Sequence, residues 1–248
     1  MKLRRFLIGA CTVLFLLGSA FPGLADEKIL SRWSKTNHYE NDIGSELWVT
    51  ASYYASEYVE ALVQSEAQKN LWTADESEQY KYELLKTLNL SEYIPIFIAF
   101  DNRGPSLHMA PFNDQLTLWV GKKKLQPVDY DKRFNFKLQG KREGFVYFPR
   151  YDEKGKPILE GVKSVRLTIN GGISPVTMGK SIEYIWDVAD DHPEKLYAGK
   201  AAARLELDRL IKRLDKLNEE KKNLEGELDK VNAELQEIQK RVDELQRQ

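Results

Sequence analysis

The chain has 248 residues, with 37 basic and 38 acidic side chains and a formal net charge of −1 at pH 7. This near-neutral balance predicts no electrostatic affinity for nucleic acid or for an anionic membrane surface. The chain contains one cysteine, Cys11, so an intrachain disulfide is excluded.

The first 25 residues have the order of a secretory signal peptide. Three basic residues, Lys2, Arg4 and Arg5, precede an apolar run over residues 6–17, and a stretch rich in small residues ends at Ala25. We therefore expect a signal peptide over residues 1–25, cleavage after Ala25 and a secreted or periplasmic mature protein. The run of 12 apolar residues is shorter than the roughly 20 that span a bilayer, so no stable membrane span is expected after cleavage.

Cleavage would remove Cys11 and three positive charges. Cys11 lies inside the apolar run, whereas the cysteine of a lipoprotein closes such a run, so we expect no lipid anchor. Removing three of the 37 basic residues leaves 34 against 38 acidic ones, a net charge of −4. A mature chain without cysteine also excludes thiolate metal sites and cysteine nucleophiles.

Apolar residues alternate with polar ones in several segments between residues 46 and 188, which predicts strands with one buried face. Turn-forming glycine and asparagine residues separate the segments. The pattern indicates a mainly β fold, an immunoglobulin-like antiparallel β-sandwich, in a domain over residues 26–192. The seven predicted strands lie at residues 47–53, 94–100, 116–120, 134–138, 145–148, 165–169 and 182–188.

Residues 56–93 interrupt this pattern with apolar side chains at helical spacing, including Tyr58, Leu62, Tyr82 and Leu85. We expect two helices here, inserted between the first two predicted strands. Such a helical insertion would pack as a lid over one end or edge of the sandwich and protect strand edges from pairing with other chains.

The last segment, residues 193–248, is predicted to be one long coiled-coil helix. Asp191 followed by Pro193 and Glu194 indicates a helix start, and Gly199 is the expected hinge. Beyond it, apolar residues recur at alternating spacings of three and four, which is the heptad pattern of a coiled coil. The predicted seam consists of Leu207, Leu210, Leu214, Leu217, Lys221, Leu224, Leu228, Val231, Leu235, Ile238, Val242 and Leu245.

Lys221 is the only member of this seam that is not apolar. Buried ammonium groups repel each other, so Lys221 favours a narrow dimer in which its stem reaches outward to water. In a parallel pair, Glu220 would face Glu225 of the other chain and repel it. The flanking charges therefore select no parallel homodimer, and both an antiparallel pair and the helix of another protein remain open.

No pattern predicts a catalytic, cofactor or metal site. The three histidines, His38, His108 and His192, show none of the spacings typical of metal ligands. Two alternatives stay open: a hydrolase that uses carboxylates at strand ends, such as Asp101 and Asp114, and a cation site around His192 and its acidic neighbours. Asp129 and Asp131 also fall near predicted strand ends.

The chain has 12 tyrosines and five tryptophans, and aromatic side chains on a sandwich surface can stack on sugars or anchor a partner protein. Most of them fit the predicted core. Trp48, Tyr54 and Trp119 fall on the opposite strand face, so we expect them to be the candidates for an exposed aromatic patch.

The strand segments at residues 47–54 (LWVTASYY), 94–100 (IPIFIAF) and 144–150 (GFVYFPR) resemble those of a group of uncharacterised bacterial secreted proteins and lipoproteins. The resemblance covers residues 45–170 and implies an extracytoplasmic sandwich without a known activity. The sequence thus predicts a non-enzymatic secreted envelope protein. Its sandwich would bind or scaffold an envelope protein or glycan, and its coiled coil would bring about self-association or recruit a partner helix.

Overall fold

The computed structural model describes residues 24–197 and 199–246. The predicted signal peptide over residues 1–25 lies outside these ranges except for its last two positions. The α-helices are α1 (Leu24–Trp33), α2 (Ser56–Asn70), α3 (Ala74–Leu88) and α4 (Lys200–Gln246). The strands are β1 (Ser34–Glu40), β2 (Glu46–Tyr53), β3 (Tyr93–Leu107), β4 (Leu116–Val120), β5 (Lys123–Leu125), β6 (Asp129–Tyr130), β7 (Leu138–Pro149), β8 (Ser164–Ile169) and β9 (Ile182–Asp187). Short 3-10 helices cover Phe112–Gln115, Lys132–Asn135, Gly171–Ile173, Pro175–Thr177 and Pro193–Tyr197.

The strands form two antiparallel sheets. One has five strands in the order β1-β2-β3-β7-β6, and the other has four in the order β5-β4-β8-β9. The predicted antiparallel sheets and long C-terminal helix are confirmed. The structure is 47% helical and 30% strand, so the chain as a whole is mixed α and β rather than mainly β. The 47-residue helix α4 and the unpredicted helix α1 account for much of the difference.

Both sheets contribute to one hydrophobic core. Along β2, the residues Leu47, Val49 and Ala51 are fully buried, while the residues between them face outward. Strand β9 shows the same alternation, with Tyr184 and Trp186 buried. The Tyr184 hydroxyl donates a hydrogen bond of 2.5 Å to the backbone carbonyl of Val49 and so joins the two sheets directly.

Four aromatic rings form a continuous column through this core, which we call the aromatic column: Trp33, Tyr53, Trp186 and Tyr184. The ring centroids of Trp33 and Tyr53 are 5.4 Å apart, those of Tyr53 and Trp186 5.8 Å, and those of Trp186 and Tyr184 6.0 Å. The indole N–H of Trp186 donates to the Trp33 carbonyl at 2.8 Å. The column thereby connects the end of α1 to β2 and β9.

Asp191 links the column to helix α2. Its carboxylate accepts a hydrogen bond from the Tyr53 hydroxyl at 3.1 Å and another from the Ser56 backbone N–H at 2.8 Å. Ala55, at the N-cap of α2, has no side chain that can cap the helix. Asp191 therefore caps α2 from a distant part of the chain. The expectation that it caps the last helix is wrong, since α4 begins only at Lys200.

Two other sequence expectations differ from the structure. The predicted strand at residues 134–138 does not form: residues 134 and 135 belong to the 3-10 helix Lys132–Asn135, and β7 begins only at Leu138. The Asp131 side chain accepts the Arg133 N–H and turns the backbone there. Phe134 is buried, but Phe136 is 66% exposed. The apolar pattern does not predict strand β1, because its sequence, SKTNHYE, carries almost no apolar side chains. It pairs with β2 in continuous antiparallel register.

Helices α2 and α3 cover part of the outer face of the five-stranded sheet, whereas the sequence predicts a lid over one end or edge of the sandwich. Tyr54 lies at the centre of this contact, with its ring 5.0 Å from that of Tyr58 in α2 and 5.1 Å from that of Phe145 in β7. The Tyr147 hydroxyl of β7 donates to the Thr87 carbonyl in α3 at 3.1 Å. Burial raises the pKa of Tyr147 to about 12, so this hydroxyl stays a donor at neutral pH.

We predict that Asp191→Ala destabilises the fold by about 1–3 kcal/mol, because it leaves the buried Tyr53 hydroxyl and the first N–H of α2 without their acceptor. Urea unfolding followed by circular dichroism measures the loss. Asp190→Ala removes an exposed neighbouring carboxylate and serves as the matched control, with an expected change within about 0.5 kcal/mol. Equal stabilities of the two variants would contradict the capping role of Asp191.

Candidate functional site

The predicted coiled-coil seam lies entirely on α4 and is exposed to solvent. Its apolar side chains range from 39% exposed at Val242 to 64% at Leu224. The remaining apolar members lie between these values: Leu207, Leu210, Leu214, Leu217, Leu228, Val231, Leu235, Ile238 and Leu245. In a single chain, the described residues thus leave a continuous apolar stripe in contact with water. A stripe of this length is unusual on a monomeric soluble protein.

The root of α4 is attached to α3 by polar contacts. The Tyr82 hydroxyl donates to the Asp208 carboxylate, and this hydrogen bond raises the pKa of Tyr82. The Arg204 guanidinium lies over the Tyr82 ring, 4.8 Å from its centroid, and also donates to the Gln79 side chain. Near the helix start, the Lys200 ammonium lies 3.3 Å from the Asp75 carboxylate.

Lys200 lies at position a, one heptad before Leu207, whereas Arg204 and Asp208 contact α3 from positions beside the seam. With Leu207 as heptad position a, Arg204 occupies position e and Asp208 position b. Leu207 and Leu210, the first two seam residues, remain 56% and 51% exposed beside them. Helix α3 therefore fixes the root of α4 and leaves the seam free to meet another helix.

Gly199 separates α4 from the preceding 3-10 helix, Pro193–Tyr197. Its φ angle of +92° lies in a region that residues other than glycine rarely adopt. The chain changes direction here, at the position that the sequence marks as a hinge, and the long helix starts at Lys200 rather than near Pro193.

A second feature lies on the open half of the outer face of the five-stranded sheet, which α2 and α3 do not cover. We call it the hairpin cluster: His38 and Glu40 on β1, Glu46 and Trp48 on β2, and Arg103 on β3. The His38 and Trp48 rings stack with centroids 4.1 Å apart and an interplanar angle of 12°. The Arg103 guanidinium lies 4.5 Å from the Trp48 ring centroid.

The ligand atoms of His38, Glu40 and Glu46 all lie within 4.8 Å of one another. The His38 Nε2 is 4.0 Å from Glu46 Oε1, and Arg103 contacts the other oxygen of Glu46 at 3.6 Å. The sequence places His38 near acidic residues, but Glu46 comes from the neighbouring strand. Only the register that pairs Glu40 with Glu46 brings the three together, and spacing along one strand gives no sign of it.

The predicted aromatic patch of Trp48, Tyr54 and Trp119 does not form. Tyr54 is only 6% exposed because α2 and α3 cover it, so its prediction is wrong. Trp48 lies on the five-stranded sheet and Trp119 on the four-stranded sheet, so the two rings belong to different surfaces. Trp119 lies between two cations: Lys124 is 4.8 Å and Arg166 5.2 Å from its ring centroid.

The carboxylates predicted at strand ends are bonded to neighbouring groups, and Asp101 lies inside β3 while Asp114 lies in the 3-10 helix Phe112–Gln115. Asp101 forms ion pairs with Arg103 at 3.2 Å and Lys141 at 4.0 Å. Asp114 accepts a hydrogen bond from the Asn113 amide.

The pKa of Asp131 is held below its usual value, mainly by hydrogen bonds from Arg133, and Lys132 lowers the pKa of Asp129 in the same way. A general acid that works near neutral pH needs the opposite shift.

His192 lies 2.9 Å from Glu194 through its Nδ1 atom. Its neighbour Asp191 already accepts hydrogen bonds from Tyr53 and Ser56. Asp191 also lines a cavity of 270 Å³, together with Arg150 and Lys163. Its volume is just below the roughly 300–1,000 Å³ typical of small-molecule sites.

Over residues 24–197 and 199–246, no helix has both the length and the apolar character needed to cross a membrane. Comparisons with known proteins gave no match, whether to a family model, to a characterised protein or to a solved structure.

Proposed function

We propose that this protein is a non-enzymatic, secreted bacterial envelope protein that works as an oligomeric scaffold. Its two-sheet head, of the immunoglobulin-like sandwich type, would bind an envelope protein or glycan, and residues 193–248 would join chains through a coiled coil. The observation that carries the proposal is the exposed apolar seam on α4, from Leu207 to Leu245, together with a root that is fixed to α3 by residues outside this seam.

The size of the seam supports self-association. Fully burying a leucine or valine side chain contributes about 1.5–3 kcal/mol, so burying the exposed half contributes about 1 kcal/mol per residue. Two seams with 11 apolar residues each would gain about 20 kcal/mol. Association costs about 4–15 kcal/mol in lost freedom of motion. The apolar gain is larger than this cost, which supports a second copy of the chain as the partner.

The flanking charges favour an antiparallel pair of copies. In antiparallel coiled coils, residues at heptad position g face position g of the other helix. When Leu207 lies opposite Ile238 of the second copy, Glu206 faces Arg241 and Arg213 faces Glu234. Each contact occurs twice by symmetry, which gives four attractive pairs.

The same register contains one unfavourable contact, between Glu220 and Glu227, which also occurs twice. The antiparallel dimer thus has four attractive and two repulsive charge pairs. In a parallel dimer the only charged contact between flanking positions is Glu220 with Glu225, which is repulsive, so the charges favour the antiparallel arrangement. Sliding the antiparallel helices by one heptad in one direction brings Arg213 against Arg241. Sliding in the other direction brings Glu206 against Glu234, so both neighbouring registers lose favourable contacts.

Lys221 also fits this antiparallel register. Lys221 lies opposite Leu224 of the second copy. In a parallel pair, by contrast, the two Lys221 ammonium groups would lie opposite each other. In the structure, the Lys221 ammonium reaches outward and lies 3.6 Å from Glu225 of its own helix. The charge can remain paired and hydrated while the stem covers the seam.

An antiparallel dimer would hold two heads at opposite ends of a rod. In this register Lys200 lies level with Leu245 of the second copy, so at about 1.5 Å of rise per residue the two roots are about 68 Å apart. Two heads at a fixed separation can bind a repeating polymer or two sites at once. The gain in avidity makes weak contacts of each head sufficient.

We predict that Leu217→Glu combined with Leu228→Glu converts the dimer to a monomer. Residue 217 of each copy faces residue 228 of the other in this register, so the double variant would bury two glutamates against each other in both layers. Sedimentation equilibrium of the full chain measures the mass. Lys212→Glu combined with Ala233→Glu places acidic residues at position f, outside the seam, and should leave the dimer intact. A monomeric wild-type protein would contradict self-association and leave the seam to the helix of another protein.

The antiparallel orientation predicts how distances between spin labels depend on position. In a Cys11→Ser background, labels at Lys240→Cys should lie about 50 Å apart, because position 240 is level with position 205 of the second copy. Labels at Gly226→Cys should lie within about 25 Å, the width of two helices. A side chain at position 226 meets no other atom within 4 Å, so the label is tolerated.

Pulsed electron–electron double resonance distinguishes the arrangements. A parallel dimer would give similar short distances at both positions and would overturn the orientation while keeping self-association. A dimer mass with a long distance at Lys240→Cys and a short one at Gly226→Cys supports both. Absence of any dipolar coupling together with a monomer mass would overturn both.

A further inference from the structure

The β1–β2 hairpin places three metal-binding side chains on one face. In its antiparallel register, His38 is opposite Trp48 and Glu40 is opposite Glu46. Side chains alternate between the faces of a strand, so residues 38 and 40 point to the same side as 46 and 48. This is the outer face, away from the core and not covered by α2 or α3. The imidazole and the two carboxylates are thus open to ions from solution.

The spacing of these groups matches a metal ion better than direct hydrogen bonding. The 4.0 Å between His38 Nε2 and Glu46 Oε1 is too long for a hydrogen bond. Zinc bonds to nitrogen and oxygen of about 2.0–2.2 Å in tetrahedral geometry place two ligand atoms about 3.4 Å apart. Small side-chain rotations bring all three groups from within 4.8 Å to that separation.

Neighbouring side chains hold the ligands in place. Trp48 stacks on the His38 ring and orients it over the hairpin. Arg103 contacts Glu46 Oε2 at 3.6 Å, which leaves Oε1, the oxygen that faces His38, free for a metal. Bound metals commonly have such outer partners, which orient the ligand and fix which atom binds.

The charges point to a cation. Glu40 lies directly across from Glu46, and like charges opposite each other on neighbouring strands repel. Among the described residues, Glu40 makes no ion pair with a basic side chain. A divalent ion between the two carboxylates would remove this repulsion. An imidazole together with two carboxylates suits zinc, whereas calcium and magnesium prefer oxygen ligands alone.

We propose that His38, Glu40 and Glu46 bind one zinc ion, or a divalent transition-metal ion of the same class, on the head of each chain. Three protein ligands leave a fourth position for water or for an atom of a bound partner. Among the described residues, this is the only group of three whose ligand atoms converge in this way. The site goes beyond the scaffold role, and its ligands all belong to one hairpin, so binding does not depend on assembly.

Isothermal titration of zinc chloride into the metal-free full chain tests the site. We expect one zinc ion per chain, and a loss of affinity of at least about tenfold in His38→Ala and in Glu40→Gln. His192→Ala is the matched control, since it removes a histidine that lies 2.9 Å from a glutamate elsewhere on the surface. This variant should bind zinc as the wild type does.

Thermal unfolding supplies a second readout, because an ion that binds only the folded state raises the unfolding temperature. Zinc should raise it in the wild type and in His192→Ala but not in His38→Ala. All four proteins should unfold at similar temperatures without metal, since His38 and Glu40 are exposed. No zinc binding by the wild type, or unchanged affinity in both His38→Ala and Glu40→Gln, would overturn the proposal.

Discussion

The fold of the two-sheet head depends on hydrogen bonds to the buried polar atoms of the aromatic column. Trp33, Tyr53, Tyr184 and Trp186 are almost fully buried, and a buried donor without an acceptor costs about 1–3 kcal/mol. Each finds its acceptor in a different segment of the chain: the Trp33 carbonyl is 153 residues from Trp186, and Asp191 is 138 residues from Tyr53. These hydrogen bonds can therefore form only when α1, both sheets and the segment after β9 are all folded together.

Helix α3 connects this closed head to the long helix. Its buried residues Leu85 and Leu88 belong to the head, while Tyr82 bonds to Asp208 of α4. The polar contacts use residues outside the seam, and over residues 24–197 and 199–246 the apolar side chains from Leu207 onward stay exposed. The core of the head is therefore built without the seam.

Much of the fold follows from local periodicity. The alternation in β2, β3, β4, β8 and β9 predicts these strands because each has one side in the core and one outside. Where the apolar pattern fails, hydrogen bonds to neighbouring strands or side chains decide the structure. Strand β1 is nearly all polar and is held by pairing with β2, and Phe134 is buried from a 3-10 helix that the Asp131 side chain stabilises.

The heptad repeat of α4 and most inward-facing strand residues can be read from the amino-acid order, because both are repeats over a few residues of one element. The cover of helices over Tyr54, the cap of α2 by Asp191 and the contact of Glu46 with His38 appear only once the chain is folded. Asp191 is 135 residues from Ser56, whereas Glu46 reaches His38 from the neighbouring strand of one hairpin. The geometry of these contacts depends on strand register and packing, and no local pattern encodes either one.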